Sequence, residues 1–255
     1  MSRPTPLVLA LSLLTTLPVG RWLPGRIEAR DQGRSVAYYP LVGGCIGVLL
    51  YVTASVLQSA PATVAAPVLL LVWVALTGAL HLDGLADCVD GWFAGHADSK
   101  RTLSVMAEPT AGPMAVVALV LVLLLKTGAL VALSAHASCM SALLLTVPII
   151  ARSSAAALMA TTAYRRPQGI ARDQAATRSR RTIALAVGIS IVFAGLVLPI
   201  ALCGLLIVLA GVIVWGWRRL WQQRIGGYTG DIAGALIELV ETALLAVATW
   251  GLPWG

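Results

Sequence analysis

Long apolar runs recur along the chain, separated by short segments that hold most of its charge. Seven of them lie at about 36–58, 62–82, 112–133, 139–162, 182–199, 201–217 and 232–250. Each reaches or approaches the roughly 18 to 25 residues that cross a hydrocarbon core of about 30 Å. The fifth and sixth meet at Leu198-Pro199-Ile200, where proline favours a tight turn over a continuous helix. A single kinked element there would lower the number to six. One further run, PLVLALSLLTTLPVG, is too short to span and has Arg3 and Arg21 as flanks. It lacks a small-residue cleavage site before RWLPGR, so it reads as a retained helix lying in the interface or re-entering the membrane. The pattern predicts an all-α polytopic membrane protein. Its six to seven transmembrane helices and N-terminal interfacial or re-entrant helix form one integral-membrane domain over residues 1–255.

Composition agrees with that pattern. The chain is 58% hydrophobic and only 11% charged, too few polar residues to cover a soluble surface. Lysine and arginine fall into alternate connections: Arg21 to Arg34, Lys100 and Arg101, Arg165 to Arg181, and Arg218 to Arg224. Connections near 59–61, 134–138 and 200 hold none. The positive-inside rule puts the charged loops in the cytoplasm, with Trp250 and Trp254 as interface anchors on the opposite side. The net charge of +7 therefore reports topology and attraction to membrane lipid. Scattered tryptophans form no stacking platform, so nucleic acid is not an expected partner. The four cysteines have neither disulfide-framework nor zinc spacing.

The segment HLDGLADCVDG leaves the second run and puts Asp83, Asp87 and Asp90 on one helical face. Carboxylates so placed repel, and a hard divalent cation offsets that repulsion. Mg²⁺ typically combines one or two carboxylates with substrate phosphates, so metal-assisted phosphate chemistry is the expectation. A solvated acidic cap explains one or two aspartates better than three in phase. Before the last run, GGYTGD offers Asp231 as another ligand, with Thr229 and Gly230 beside it for phosphate. Asp231 also suits a helix N-cap. Glu108, in SVMAEPTAGPM, is a further candidate ligand on the same side. His81, next to the acids, suits proton transfer or carboxylate orientation, with a structural interfacial role as its alternative.

Glu238 and Glu241 lie inside the last run, while Lys126 and Arg152 are the basic residues well inside spans. Pairing with the glutamates is one solution for such charges and contact with an anionic substrate is the other. Ion pairing is favoured for Lys126 and phosphate contact for Arg152, whose planar fork suits it. In YRRPQGIARDQAATRSRR, Tyr164, Arg166 and Gly169 stand where they could cover a nucleotide.

With LLTTLPV, YYPLVGGCIG, GALHLDGLADCVDGWFAG, YRRPQGIA and GGYTGDIAGALIELVE in place, the chain resembles the cobalamin synthase family of adenosylcobinamide-GDP ribazoletransferases over nearly its whole length. The resemblance implies a Mg²⁺-dependent enzyme of the cytoplasmic (inner) membrane with its active site facing the cytoplasm. Such an enzyme joins adenosylcobinamide-GDP to α-ribazole, or to its 5′-phosphate, and releases GMP. It implies that Asp83, Asp87, Asp90 and Asp231 are the family acids, and leaves room for a homo-oligomer or association with other late cobalamin-pathway enzymes. DCVDGWFA also resembles part of the CDP-alcohol phosphotransferase signature, which makes a phospholipid-synthesising enzyme the first alternative. That signature has arginine where this chain has Gly95, and two further aspartates where it has Glu108 and Gly112. The family's usual basic residue, acid and serine in the re-entry segment are replaced by Ala107, Glu108 and Pro109. A cation-coupled transporter using Glu238 and Lys126 is the alternative of a different class.

Overall fold

The computed structural model describes residues 5–96, 98–166 and 170–250. Apolar helices α1 (Thr5–Leu14) and α3 (Tyr39–Val56) flank a short helix α2 (Ala29–Ser35). Next come α4 (Ala62–Thr77), α5 (Leu80–Ala94) and α6 (Ser99–Val105), then α7 (Pro113–Leu133) and α8 (Ala137–Thr161). A surface helix α9 (Ile170–Thr177) precedes α10 (Arg180–Val197), α11 (Ile200–Ile225) and α12 (Gly230–Ala248).

The bundle forms around α8 and α12, which carry the longest series of buried residues. Helix α3 lays Val42, Ile46 and Leu50 on α8, positions four apart that share a face. Its opposite face leaves Leu41, Val48, Val52 and Val56 exposed. The same holds for Val120, Leu121 and Leu124 of α7, and for Leu185, Ile189 and Leu196 of α10. Apolar surface on this scale has hydrocarbon as its natural solvent. The molecule is a multi-pass membrane protein.

Among the described residues, five helices are long and apolar enough to cross a membrane, and a sixth follows if α4 and α5 count as one broken span. The seventh element expected from sequence, α12, has 19 residues and carries Asp231, Glu238 and Glu241. Proline 199 separates α10 from α11 outright, so the kinked single element is not formed. Two boundaries differ from the sequence pattern. The run 62–82 does not continue as one helix, because Gly78 and Ala79 both adopt left-handed backbone (φ 62° and 57°). Thr16 straps this corner, its N–H bonding to the Leu76 carbonyl and its hydroxyl to that of Ala75. The chain then turns by 85° into α5. Helix α11 runs on to Ile225, so most of the predicted loop 218–231 is helical.

Helix α1, ten residues long, extends only about 15 Å at 1.5 Å per residue and cannot span. The basic stretch after α8 is likewise partly helical. Its α9 packs on α2, where Gln174 donates to the Ser35 and Tyr39 hydroxyls, each at 3.0 Å.

Candidate active site

The acids of α5 meet α12 at its first turn. This contact depends on Gly84. A Cβ there would lie 2.7 Å from the carbonyl oxygen of Asp231 and 3.1 Å from its Cα, so any side chain would force backbone apart. Thr229 caps α12 by accepting from the Ile232 N–H at 3.3 Å, and its hydroxyl also lies 3.1 Å from Asp231 Oδ2. Gly230 and Asp231 therefore open a helix whose first N–H groups lack intrahelical acceptors, a setting that favours anions.

A second connection brings in the basic loop. Tyr164 and Tyr228 form an isolated parallel bridge, with Arg165 N–H donating to Tyr228 O and Tyr228 N–H to Ala163 O. The two rings pack edge to face at 5.4 Å. The bridge delivers Arg166 to Asp231, Nη2 to Oδ2 at 2.8 Å, and the same nitrogen donates to the Met106 carbonyl at 2.9 Å. Burial holds the phenols of Tyr164 and Tyr228 above their ordinary range, so both remain protonated at neutral pH. The expected contact Gly169 lies outside the described residues.

Asp90 Oδ2 accepts the Gly112 N–H at 2.6 Å, which fixes the re-entry segment beside α5. Asp83 is exposed and Asp87 half-buried. Asp87 experiences the charges of Asp231, Asp83 and Asp90, against Arg166 as the opposing charge. Four carboxylates thus share one region with one guanidinium. Oxygen-only donors with surplus negative charge fit a hard cation such as Mg²⁺. Among the described residues, no three metal-ligating side chains are already gathered closely enough to enclose an ion. The donor set fits the metal in chemistry and charge, then, and is not drawn together around it. Glu108 is exposed on the same connecting segment, and no side-chain bond ties it to the four aspartates.

The structure separates Lys126 and Arg152 from this cluster. Lys126 Nζ bonds Glu238 Oε1 at 2.6 Å and Glu241 Oε2 at 2.7 Å, and lies 4.7 Å from the Trp73 ring centroid. Arg152 pairs with Glu241 through Nη1 and Oε1. The pairing alternative for Lys126 is what forms, and the preference for phosphate contact at Arg152 gives way to the same network. Physically, two cations and two carboxylates neutralise one another where none can reach water. His81 sits between the network and the aspartates. It is 2% exposed, and neither ring nitrogen has a hydrogen-bond partner.

Two features went unread in the sequence. Arg224 donates to the Trp92 carbonyl at 2.6 Å and to the Thr102 hydroxyl at 3.1 Å, clamping the end of α5 to α6 and α11. A basic residue in a basic loop carries no signal for that. A cavity of about 210 Å³ also opens beside the acids, walled by α1, α8 and α12, and no sequence motif marks it.

Comparison with known proteins adds to this geometry. Residues 6–249 match the family described as Cobalamin-5-phosphate synthase. The chain is 48% identical to an adenosylcobinamide-GDP ribazoletransferase of Pseudomonas paraeruginosa over 240 residues, 94% of this chain and 95% of that one. It is 46% identical to the enzyme of that name from Stutzerimonas stutzeri, covering 94% of this chain and 96% of that one. The Pseudomonas putida GB-1 enzyme of the same name is 44% identical, with coverage of 97% and 99%. No solved structure matches.

Proposed function

The chain belongs to the cobalamin-5-phosphate synthase family, and from that premise we infer that it is an adenosylcobinamide-GDP ribazoletransferase. It joins adenosylcobinamide-GDP to α-ribazole or its 5′-phosphate and releases GMP. The observation that carries this reading is family identity along almost the whole chain, joined to the meeting of α5 and α12 acids at Gly84. Neither alternative, a phospholipid-making phosphotransferase or a coupled transporter, has a comparable observation behind it.

Asp83, Asp87, Asp90 and Asp231 would hold Mg²⁺, with Glu108 available from the re-entry segment that Asp90 holds through Gly112. When bound, the metal neutralises the diphosphate and the charge growing on the departing GMP. The side chains do the rest by positioning, as is usual for phosphoryl transfer. Arg166 and the N–H groups opening α12 hold phosphate oxygens, with Thr229 fixing that turn. Tyr164 flanks them. A ribose hydroxyl of the acceptor attacks the cobinamide-side phosphorus. The bond from that phosphorus to the bridging oxygen breaks, the electron pair leaves on GMP, and the hydroxyl proton passes to a carboxylate of the cluster.

The arginine-rich connections share one end of the bundle with Arg166, which supports an inner membrane with the site facing the cytoplasm. Purified protein given adenosylcobinamide-GDP and α-ribazole should release GMP with Mg²⁺ and stop with EDTA. Asp87→Asn should lower turnover by roughly 100-fold or more, the scale of a lost transition-state electrostatic contact, while remaining folded by size exclusion. Full turnover in that variant would remove Asp87 from the metal site.

A further inference from the structure

The cavity beside the acids is built unlike the rest of the site. Asp83, Gly230 and Asp231 line one end, and Leu14, Met159 and Ile237 supply much of its apolar wall. Four buried polar side chains interrupt that wall: Tyr39 and Gln174, which bond each other, and His81 and Tyr228, at 2% and 0% exposure. Neither His81 nitrogen nor the Tyr228 hydroxyl has a hydrogen-bond partner. Buried polar atoms without partners are uncommon in native proteins, and here three line one space. The volume, about 210 Å³, exceeds the ~150 Å³ of an engineered apolar cavity that takes up benzene. It suits a fused two-ring system and is far too small for a corrinoid.

Resting on the ribazoletransferase reading, we propose that this cavity holds the heterocyclic base of the acceptor nucleoside. The base of α-ribazole is a benzimidazole: flat, mostly hydrocarbon, with one ring nitrogen free to accept a hydrogen bond. Tyr228 is a donor, and an imidazole offers at least one donor in either protonation state. Guanine, the other base in the reaction, carries several donors and acceptors along its edges, more than the unpartnered His81 and Tyr228 can meet, since the Gln174 amide is already bonded to Ser35 and Tyr39. With the base seated, the ribose emerges at the end where Asp83 and Asp231 stand, which aims its hydroxyls at the phosphate site. His81 thereby acts as a recognition and positioning residue, and the proton transfer stays with the carboxylates.

Equilibrium binding of α-ribazole to the purified, full-length protein tests the assignment, with displacement by free benzimidazole and by GMP. Benzimidazole should displace α-ribazole and GMP should not. Tyr228→Phe, nearly isosteric, should weaken α-ribazole binding about tenfold, the scale of one lost hydrogen bond. In turnover it should raise the acceptor KM by the same factor and leave the KM for adenosylcobinamide-GDP unchanged. Benzimidazole without effect, displacement by GMP instead, or unaltered α-ribazole binding in Tyr228→Phe would each overturn the proposal. Wild-type protein that binds α-ribazole in this way but releases no GMP would sink the enzymatic reading and leave the cavity's occupant standing.

Discussion

Glu241 is the residue through which the interior charges balance, since among the described residues it alone pairs with both Lys126 and Arg152. Removing one partner of a buried ion set leaves the others uncompensated, at a cost of about 3–5 kcal/mol. Glu241→Gln should therefore lower the Tm in detergent sharply, whereas exposed Glu108→Gln should leave it unchanged. Charge arithmetic gives a finer test. Lys126→Met strands Glu238, while Lys126→Met combined with Glu238→Met leaves Arg152 and Glu241 paired one to one. The double variant should melt above the single one, and a lower Tm would show that the four charges do not act as a unit. These roles were half legible in the sequence. Ionisable residues inside apolar runs announce themselves, and Glu238 with Glu241 invited pairing. Whether Arg152 faced them or a substrate depended on helix packing, which spacing within one run does not encode. The aspartates were legible for the opposite reason, as their phase lies within a single helix. His81 and Tyr228 were not legible as a pair, because their shared cavity is walled by helices far apart in sequence.

At the scale of elements, the site depends on one corner and one crossing. The corner at Gly78 and Ala79 directs α5 across the line of α4, and its left-handed backbone at a non-glycine residue is an unfavourable local choice that the Thr16 strap maintains. Hydropathy alone read through it, since Leu80 and Leu82 continue the apolar run. Helix α9 escaped notice for a different reason: eight residues are too few to hold a helix on their own, and contact with α2 fixes them instead. The crossing at Gly84 is the more consequential. Gly84→Ala places a methyl group against the backbone of Asp231, and neither chain can yield by rotating a side chain. The expected result is a folded protein in which the two sets of acids stand farther apart. A displacement of that kind costs up to about 100-fold in rate. The kcat should fall and the Mg²⁺ concentration for half-maximal activity should rise. An unchanged Mg²⁺ requirement would mean that the α5–α12 approach does not set the metal site.

For the whole molecule, membrane placement and catalysis pull on the same charges. Aspartates cannot be exposed to hydrocarbon at acceptable cost, so a diphosphate site must lie at an end of the bundle or in a cavity open to one. The fold meets this by ending α4 early, starting α12 with the TGD turn, and joining both to the loop that carries Arg166. Those segments belong to the arginine-bearing connections, so the positive-inside bias and the active site select the same face. Orientation is then testable independently of activity. In a Cys45→Ala background, Lys100→Cys next to the site and His136→Cys at the far connection should differ in reactivity. An impermeant maleimide should label His136→Cys on spheroplasts and Lys100→Cys only on inverted vesicles. Labelling of both from one side would contradict the helix count between them, since α7 alone crosses from one connection to the other. The reverse pattern would place the acids outside, where the arginine bias could not have put them, and would remove the inner-face site along with it.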